Sequence, residues 1–181
     1  GTTEDGNISA QGDIDYLRIS GGMIEGDVEA GAGAGGGDGH IGRIYGYEGV
    51  SGHVSAGDGM YYFYSRGDVS GDIDVTGDLD HLRIYSGGNL ASDVTVTDGS
   101  MSTLYVIDGR ITDNETGDPR VDVGGDLRTM RVYGYRDNKA IIADDVEVGG
   151  HLNYAYVRDR DGSWSGDLTA GSIGRLYYYV G

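Results

Sequence analysis

Leu79-Asp80-His81-Leu82-Arg83-Ile84 is the stretch that decides the fold. Two others separate its first two apolar residues, and alternation follows. The fragment recurs as Ile14-x-x-Leu17-x-Ile19, Ile41-x-x-Ile44, Met60-x-x-Phe63 and Met101-x-x-Leu104-x-Val106. It returns as Leu127-x-x-Met130-x-Val132, Leu152-x-x-Ala155-x-Val157 and Ile173-x-x-Leu176, which makes eight copies. Successive second members are 27, 19, 19, 22, 26, 25 and 21 residues apart, so the interval drifts without breaking. A repeat of that length is the mark of a stacked architecture, in which one unit cannot bury its apolar face alone.

A second fragment lies between these copies. It reads Ile24…Val28-x-Ala30, Val50…Val54-x-Ala56, Val69…Ile73-x-Val75, Leu90…Val94-x-Val96, Ile142…Val146-x-Val148 and Trp164…Leu168-x-Ala170. The fifth copy keeps only Val121-x-Val123 after an insertion at 110–119, and Ile8-x-Ala10 is the second half of an earlier copy. Period-two alternation over four or five residues rich in Val, Ile and Tyr signals short strands, and Gly-Asp, Gly-Gly and Asp-Gly pairs punctuate them as turns. No window has helical periodicity. The expectation is all-β: a single-stranded parallel β-helix, or β-solenoid, of about eight coils with 19–27 residues each, formed by residues 1–181 as one domain. Stacked coils lie about 4.8 Å apart. The longer intervals place loop insertions near 31–39, 110–119 and 135–140.

Composition narrows the function. The 36 Gly would suit a disordered chain, but they keep register with the apolar residues, which disorder does not require. No Cys is present, so disulfides and thiolate metal sites are excluded. The net charge of −17 argues against nucleic acid as the main partner. No apolar run approaches 18 residues, so no membrane insertion is expected. Gly1 starts without a signal-peptide pattern, which suggests a processed mature chain or an excised fragment.

Aligning the copies exposes three outward columns. Beside the second apolar residue stand Arg18, Tyr45, Tyr64, Arg83, Tyr105, Arg131, Tyr156 and Tyr177. Two places on stand Ser20, Tyr47, Arg66, Tyr85, Ile107, Tyr133, Arg158 and Tyr179. On the other side stand Tyr16, Arg43, Tyr62, His81, Thr103, Thr129, Tyr154 and Arg175. The columns hold 12 of the 15 Tyr and 7 of the 12 Arg. One reading is structural: Tyr packs well in a ladder, and Arg over Tyr adds a cation–π term. The other is a binding face, with aromatic platforms for sugar rings or a basic surface for an acidic one.

The second fragment is acidic on its outward side, at Asp27, Glu29, Asp72, Asp74, Asp93, Asp122, Asp145, Glu147 and Asp167. Turn capping explains such Asp residues. The alternative is calcium held between Asp27, Asp72, Asp93, Asp145 and Asp167, although neither an EF-hand loop nor the Gly-Gly-x-Gly-x-Asp calcium repeat is present. No other cofactor is expected. His40, His53, His81 and His151 are spread along the repeat, and three of them stand at turn positions. The carboxylates follow the repeat and need no catalytic explanation. The non-periodic ones, Asp113, Asp137, Asp159 and Asp161, fall in inserted loops, so no catalytic residue is assigned and no enzyme is expected.

Gly12-Asp13-Ile14-Asp15-Tyr16-Leu17-Arg18-Ile19 and Gly77-Asp78-Leu79-Asp80-His81-Leu82-Arg83-Ile84 resemble repeats of bacterial secreted β-solenoid proteins. Those are large Gly- and Asp-rich surface or adhesin-like proteins, many from planctomycete-type bacteria. The resemblance covers almost the whole chain and implies an extracellular or cell-surface setting. The pattern is also similar to bactofilins, β-helices that polymerise end to end, from which the many Tyr and the Gly-rich insertions depart.

Neither end carries a polar cap. The end-stacking residues would be Ile8 and Ala10 at one end and Ile173, Leu176, Tyr178 and Val180 at the other. The expected partner is a second copy, or the rest of a longer solenoid. The leading expectation is a non-enzymatic fibre subunit or adhesin stalk that associates end to end and, through its oppositely charged faces, laterally. The alternatives are a carbohydrate-binding module using the Tyr/Arg face and a fragment of a polysaccharide-degrading β-helix enzyme.

Overall fold

The computed structural model describes residues 6–31, 38–112, 120–134, 142–159 and 164–180. The insertions expected near 31–39, 110–119 and 135–140 fall largely outside the described residues, as do Asp113, Asp137 and Asp161. Fourteen strands follow in chain order: β1 (Ile8–Ala10), β2 (Ile14–Ile19), β3 (Val28–Ala30), β4 (His40–Gly46), β5 (Val54–Ala56), β6 (Gly59–Ser65) and β7 (Ile73–Val75). Then come β8 (Asp78–Ile84), β9 (Val94–Val96), β10 (Met101–Ile107), β11 (Val121–Val123), β12 (Leu127–Tyr133), β13 (Val146–Asp159) and β14 (Leu168–Val180). Every pairing is parallel and joins a strand to its equivalent one coil away. The molecule is an all-β parallel solenoid of about seven turns, with no helix among the described residues.

The coil has three sides. The first fragment forms the long side, in β2, β4, β6, β8, β10 and β12 and the second halves of β13 and β14. The three-residue strands form the second side. Single bridges form the third: Ile24 to Val50, Val69, Leu90, Ile111 and Ile142. Ile111 corrects the reading of the fifth copy, which lacks no member. The insertion follows Ile111 rather than replacing it.

The x-x spacing has a structural meaning. Met60 and Phe63 both point inward, while Tyr61 and Tyr62 both stay on the outer surface, as do the paired residues of the neighbouring coils. Each coil makes the same irregularity at the same place, so the stack keeps its register. Inside, Ile44, Phe63, Leu82, Leu104, Met130 and Ala155 form a fully buried column. Burying a side chain of this size stabilises by about 1.5–3 kcal/mol.

The Gly-Asp pairs are the corners. A Cβ built on Gly71 would lie 2.0 Å from the carbonyl oxygen of Gly52, which in turn passes as close to Gly26. Only a glycine lets the chain turn that near to the coil beneath. The next residue then bonds across coils: the Asp72 carboxylate accepts the Asp93 N–H at 3.2 Å, and Asp145 accepts that of Asp167 at 2.7 Å. The other two corners do the same, with Asp78 accepting from the Ser100 N–H and Asp68 from Asn89. Backbone N–H groups at a corner have no strand partner, and each needs an acceptor.

Candidate functional site

The long side carries the Tyr/Arg surface. Its strands place the predicted columns in Cα register: Tyr16 beside Arg43, Tyr62 and His81, and Arg18 beside Tyr45, Tyr64 and Arg83. Beyond these, Tyr105 pairs with Arg131, and Tyr156 with Tyr177. In the third column Tyr133, Arg158 and Tyr179 are in register, and the Tyr47, Arg66 and Tyr85 N–H groups continue the ladder at the strand ends.

The side chains interlock both along a column and diagonally between columns. Tyr16 meets Tyr45 at 5.6 Å between ring centroids, and Tyr45 meets Tyr62 at 5.5 Å. The Arg83 guanidinium lies 5.4 Å from the Tyr62 centroid and 5.2 Å from that of Tyr105. Arg131 lies 5.4 Å from Tyr105 and 5.7 Å from Tyr154. Tyr154 meets Tyr177 at 5.7 Å. One ladder of rings and guanidiniums therefore runs unbroken from the first coil to the last. Each exposed cation–π contact contributes about 0.5–1 kcal/mol. Parallel branches pair Arg18 with Tyr47, Tyr64 with Tyr85, and Tyr156 with Tyr179.

Packing changes the acid–base character of this surface. Burial pushes the Tyr62 and Tyr64 phenols up, and the nearby Arg83 and Arg66, respectively, offset part of that. Both remain protonated donors at neutral pH. Burial also pushes His81 down, Arg83 adds to this and Asp80 opposes it, so the imidazole is neutral. A His81 ring nitrogen shares a 2.8 Å hydrogen bond with the Thr103 hydroxyl.

Arg131, Tyr133, Tyr154, Tyr156 and Arg158 line a depression of about 320 Å³ on this face. Arg175 stands in the same column as Tyr154 at the edge of the last coil, in register with it.

The calcium candidates stand at the corner beside the second side. The Asp27 carboxylate accepts the His53 N–H at 3.0 Å, and Asp93 binds the Arg120 guanidinium at 2.9 Å. Together with the Asp72 and Asp145 bonds, this puts four of the five carboxylates into coil-to-coil contacts, and Asp167 donates its N–H to Asp145. Among the described residues no cluster of three or more His, Asp or Glu is arranged to hold a metal ion. His40, His53 and His151 are corner residues, each with its N–H held by the Asp of the preceding coil.

Arg120 was not singled out from sequence. It is 3% exposed and joins Asp93 of the coil before its own to Asp144 of the coil after, with Nε 3.2 Å from Asp144. The signal was present: Arg120 stands in a column that reads Asp27, Asp72, Asp93 and Asp145, and Asp144 stands where Gly26, Gly52 and Gly71 are found. Two departures of opposite charge in adjacent coils mark a pair.

The proposed end-stacking residues lie at opposite ends. Ile8 and Ala10 belong to the first short strand, and Ile173, Leu176 and Tyr178 to the last coil, where all three are exposed. Val180 pairs through its backbone with Asp159, and the side chains of both lie outside the described set.

Comparison with protein families, curated proteins and solved structures yields no match to this chain.

Proposed function

We propose that this chain is a non-enzymatic structural solenoid, an extracellular fibre subunit or adhesin stalk, which extends its stack by taking another copy against its last coil. The observation that carries this reading is the open edge. Leu176 occupies the column in which Leu82 and Leu104 are 0% exposed, yet it is itself 46% exposed, and Ile173 and Tyr178 beside it are 42% and 40% exposed. Inward-pointing apolar side chains and a row of unpaired backbone groups favour a further parallel strand. That strand comes from a second copy, or from more of a longer solenoid. Head-to-tail contacts of this kind need not close, and they lead to filaments.

Negative-stain electron microscopy of the 181-residue chain tests the reading, with calcium and with a chelator. Filaments one coil wide are the expected result, and Leu176→Asp should leave folded monomers that do not elongate. Isolated short rods for the unaltered chain would overturn end-to-end assembly. Loss of filaments in chelator alone would assign calcium to the contact.

A second reading has its own observation. The depression between Arg131 and Arg158, with three tyrosines between them, suits a carbohydrate-binding face. Phenolic hydroxyls and guanidiniums are the groups that hydrogen-bond sugar hydroxyls.

A further inference from the structure

The Tyr/Arg face is segregated by charge more sharply than its composition requires. Its three columns contain 24 positions, 12 of them Tyr and 7 Arg, and none is Asp or Glu, although 30 of the 181 residues are acidic. The outward column of the short strands is the opposite: Glu29, Asp74, Asp122 and Glu147 stand there, with no basic residue between them. Among the described residues, no arginine of the face makes an ion pair. Arg83 and Arg131 each lie between two tyrosine rings, and the Nε of each is buried without an acceptor. Their charge is therefore held in place and, among the described residues, paired with no carboxylate.

The ring faces are largely spent on one another. Tyr62 has Tyr45 on one side and Arg83 on the other, and Tyr105 lies between Arg83 and Arg131. An open stacking platform of the kind that nucleobases or pyranose faces use is missing there. What such side chains present at their tips, standing off the sheet, is phenolic oxygen and guanidinium nitrogen. These are hydrogen-bond donors with a fixed positive charge. A Tyr or an Arg stands in these columns in every coil, about 4.8 Å apart along the stack.

We infer that this face binds a linear anionic polysaccharide laid along the stack, whose carboxylate or sulfate groups are taken by Arg131 and Arg158 across the depression. The inference rests on the carbohydrate-binding reading and narrows it. A guanidinium fork fits carboxylate and sulfate oxygens in pairs. The sugar hydroxyls bond the tyrosine tips between the charges. A nucleic acid fits less well, because the ring faces on which its bases would stack are occupied.

Biolayer interferometry with immobilised alginate, chondroitin sulfate, dextran and an oligo-dT strand tests the inference on the full chain. Retention on alginate or chondroitin sulfate, but not on dextran, is expected, weakening at least tenfold in Arg131→Gln and in Arg158→Gln. Circular dichroism checks the fold of each variant. Arg158→Gln lies outside the Tyr62–Tyr154 stack and keeps the test open if Arg131→Gln does not fold. Equal retention on dextran, unaffected by either substitution, would overturn the anionic preference and leave the carbohydrate reading standing. No retention on any glycan would overturn both. Retention of oligo-dT through the same arginines, with none of alginate, would show that the ligand class is wrong.

Discussion

The residue with the most at stake is Arg120. Its guanidinium lies at 3% exposure between Asp93 and Asp144, and its Nε also donates to the Thr112 carbonyl at 3.0 Å. A buried pair of this kind contributes little beyond what an apolar replacement of both partners would, because each ion gives up its hydration. Removing one partner is different, since the other charge stays in a dry site. Arg120→Met is expected to cost about 3–5 kcal/mol. Adding Asp144→Asn should recover part of the loss. Urea unfolding of both variants measures this, and equal midpoints for Arg120→Met and the unaltered chain would show that the contact is solvated in solution. The Tyr and Arg side chains of the long side work at lower stakes, with many weak contacts where Arg120 has a few strong ones.

At the scale of the element, the corner carries the fold. Each short strand has only three residues, too few to hold a sheet on its own. Register is kept by the corner pair: a glycine that admits the carbonyl of the coil beneath, then an Asp, Asn or Ser that accepts the next coil's N–H. The two roles predict different costs. At Gly71 an added methyl would meet backbone 2.0 Å away, whereas at Gly21 nothing lies within 4 Å. Gly71→Ala should destabilise by about 1–3 kcal/mol, in the range of overpacked sites. Gly21→Ala should stay within about 0.5 kcal/mol of the unaltered chain. Thermal denaturation of the pair compares them, and equal melting temperatures would mean that coil spacing adapts freely at the corner.

At the scale of the molecule, the same substitution has opposite meanings at two heights of one column. Leu82 is 0% exposed in the middle of the stack, and Leu176 is 46% exposed at its edge. A carboxylate at Leu82 would sit in the apolar interior with no partner, a cost that a marginally stable domain does not survive. Leu82→Asp is expected to abolish the cooperative unfolding transition. Leu176→Asp should keep that transition and lose only the dependence of the melting temperature on protein concentration that end-to-end assembly confers. Calorimetry over a concentration series separates the two. A stable, cooperative Leu82→Asp chain would mean that the interior is wetter than the burial of its columns implies.

Much of this could be read from spacing alone. The columns inferred from Leu79-x-x-Leu82-x-Ile84 and its copies are the columns that pair, because in a stack the side-chain period fixes both the inward face and the neighbour one coil away. The Tyr/Arg surface was legible for the same reason. Spacing did not reveal that two of the arginines lie between rings, because each has one ring in its own column and a second reached diagonally, and side-chain length and rotamer decide the diagonal contact. It also missed Ile111, since an insertion behind a residue hides its place in a repeat.

The sequence by itself determined the all-β solenoid, its inward and outward columns, and the separation of an Arg/Tyr side from an acidic one, since periodicity is a local property that survives without coordinates. Only the tertiary structure decided that each coil has three sides, that the corner carboxylates bond to the following coil, and that Arg120 joins Asp93 to Asp144. Each of these joins residues some 20 positions apart or more, and contacts at that range follow from how coils settle on one another rather than from any one coil.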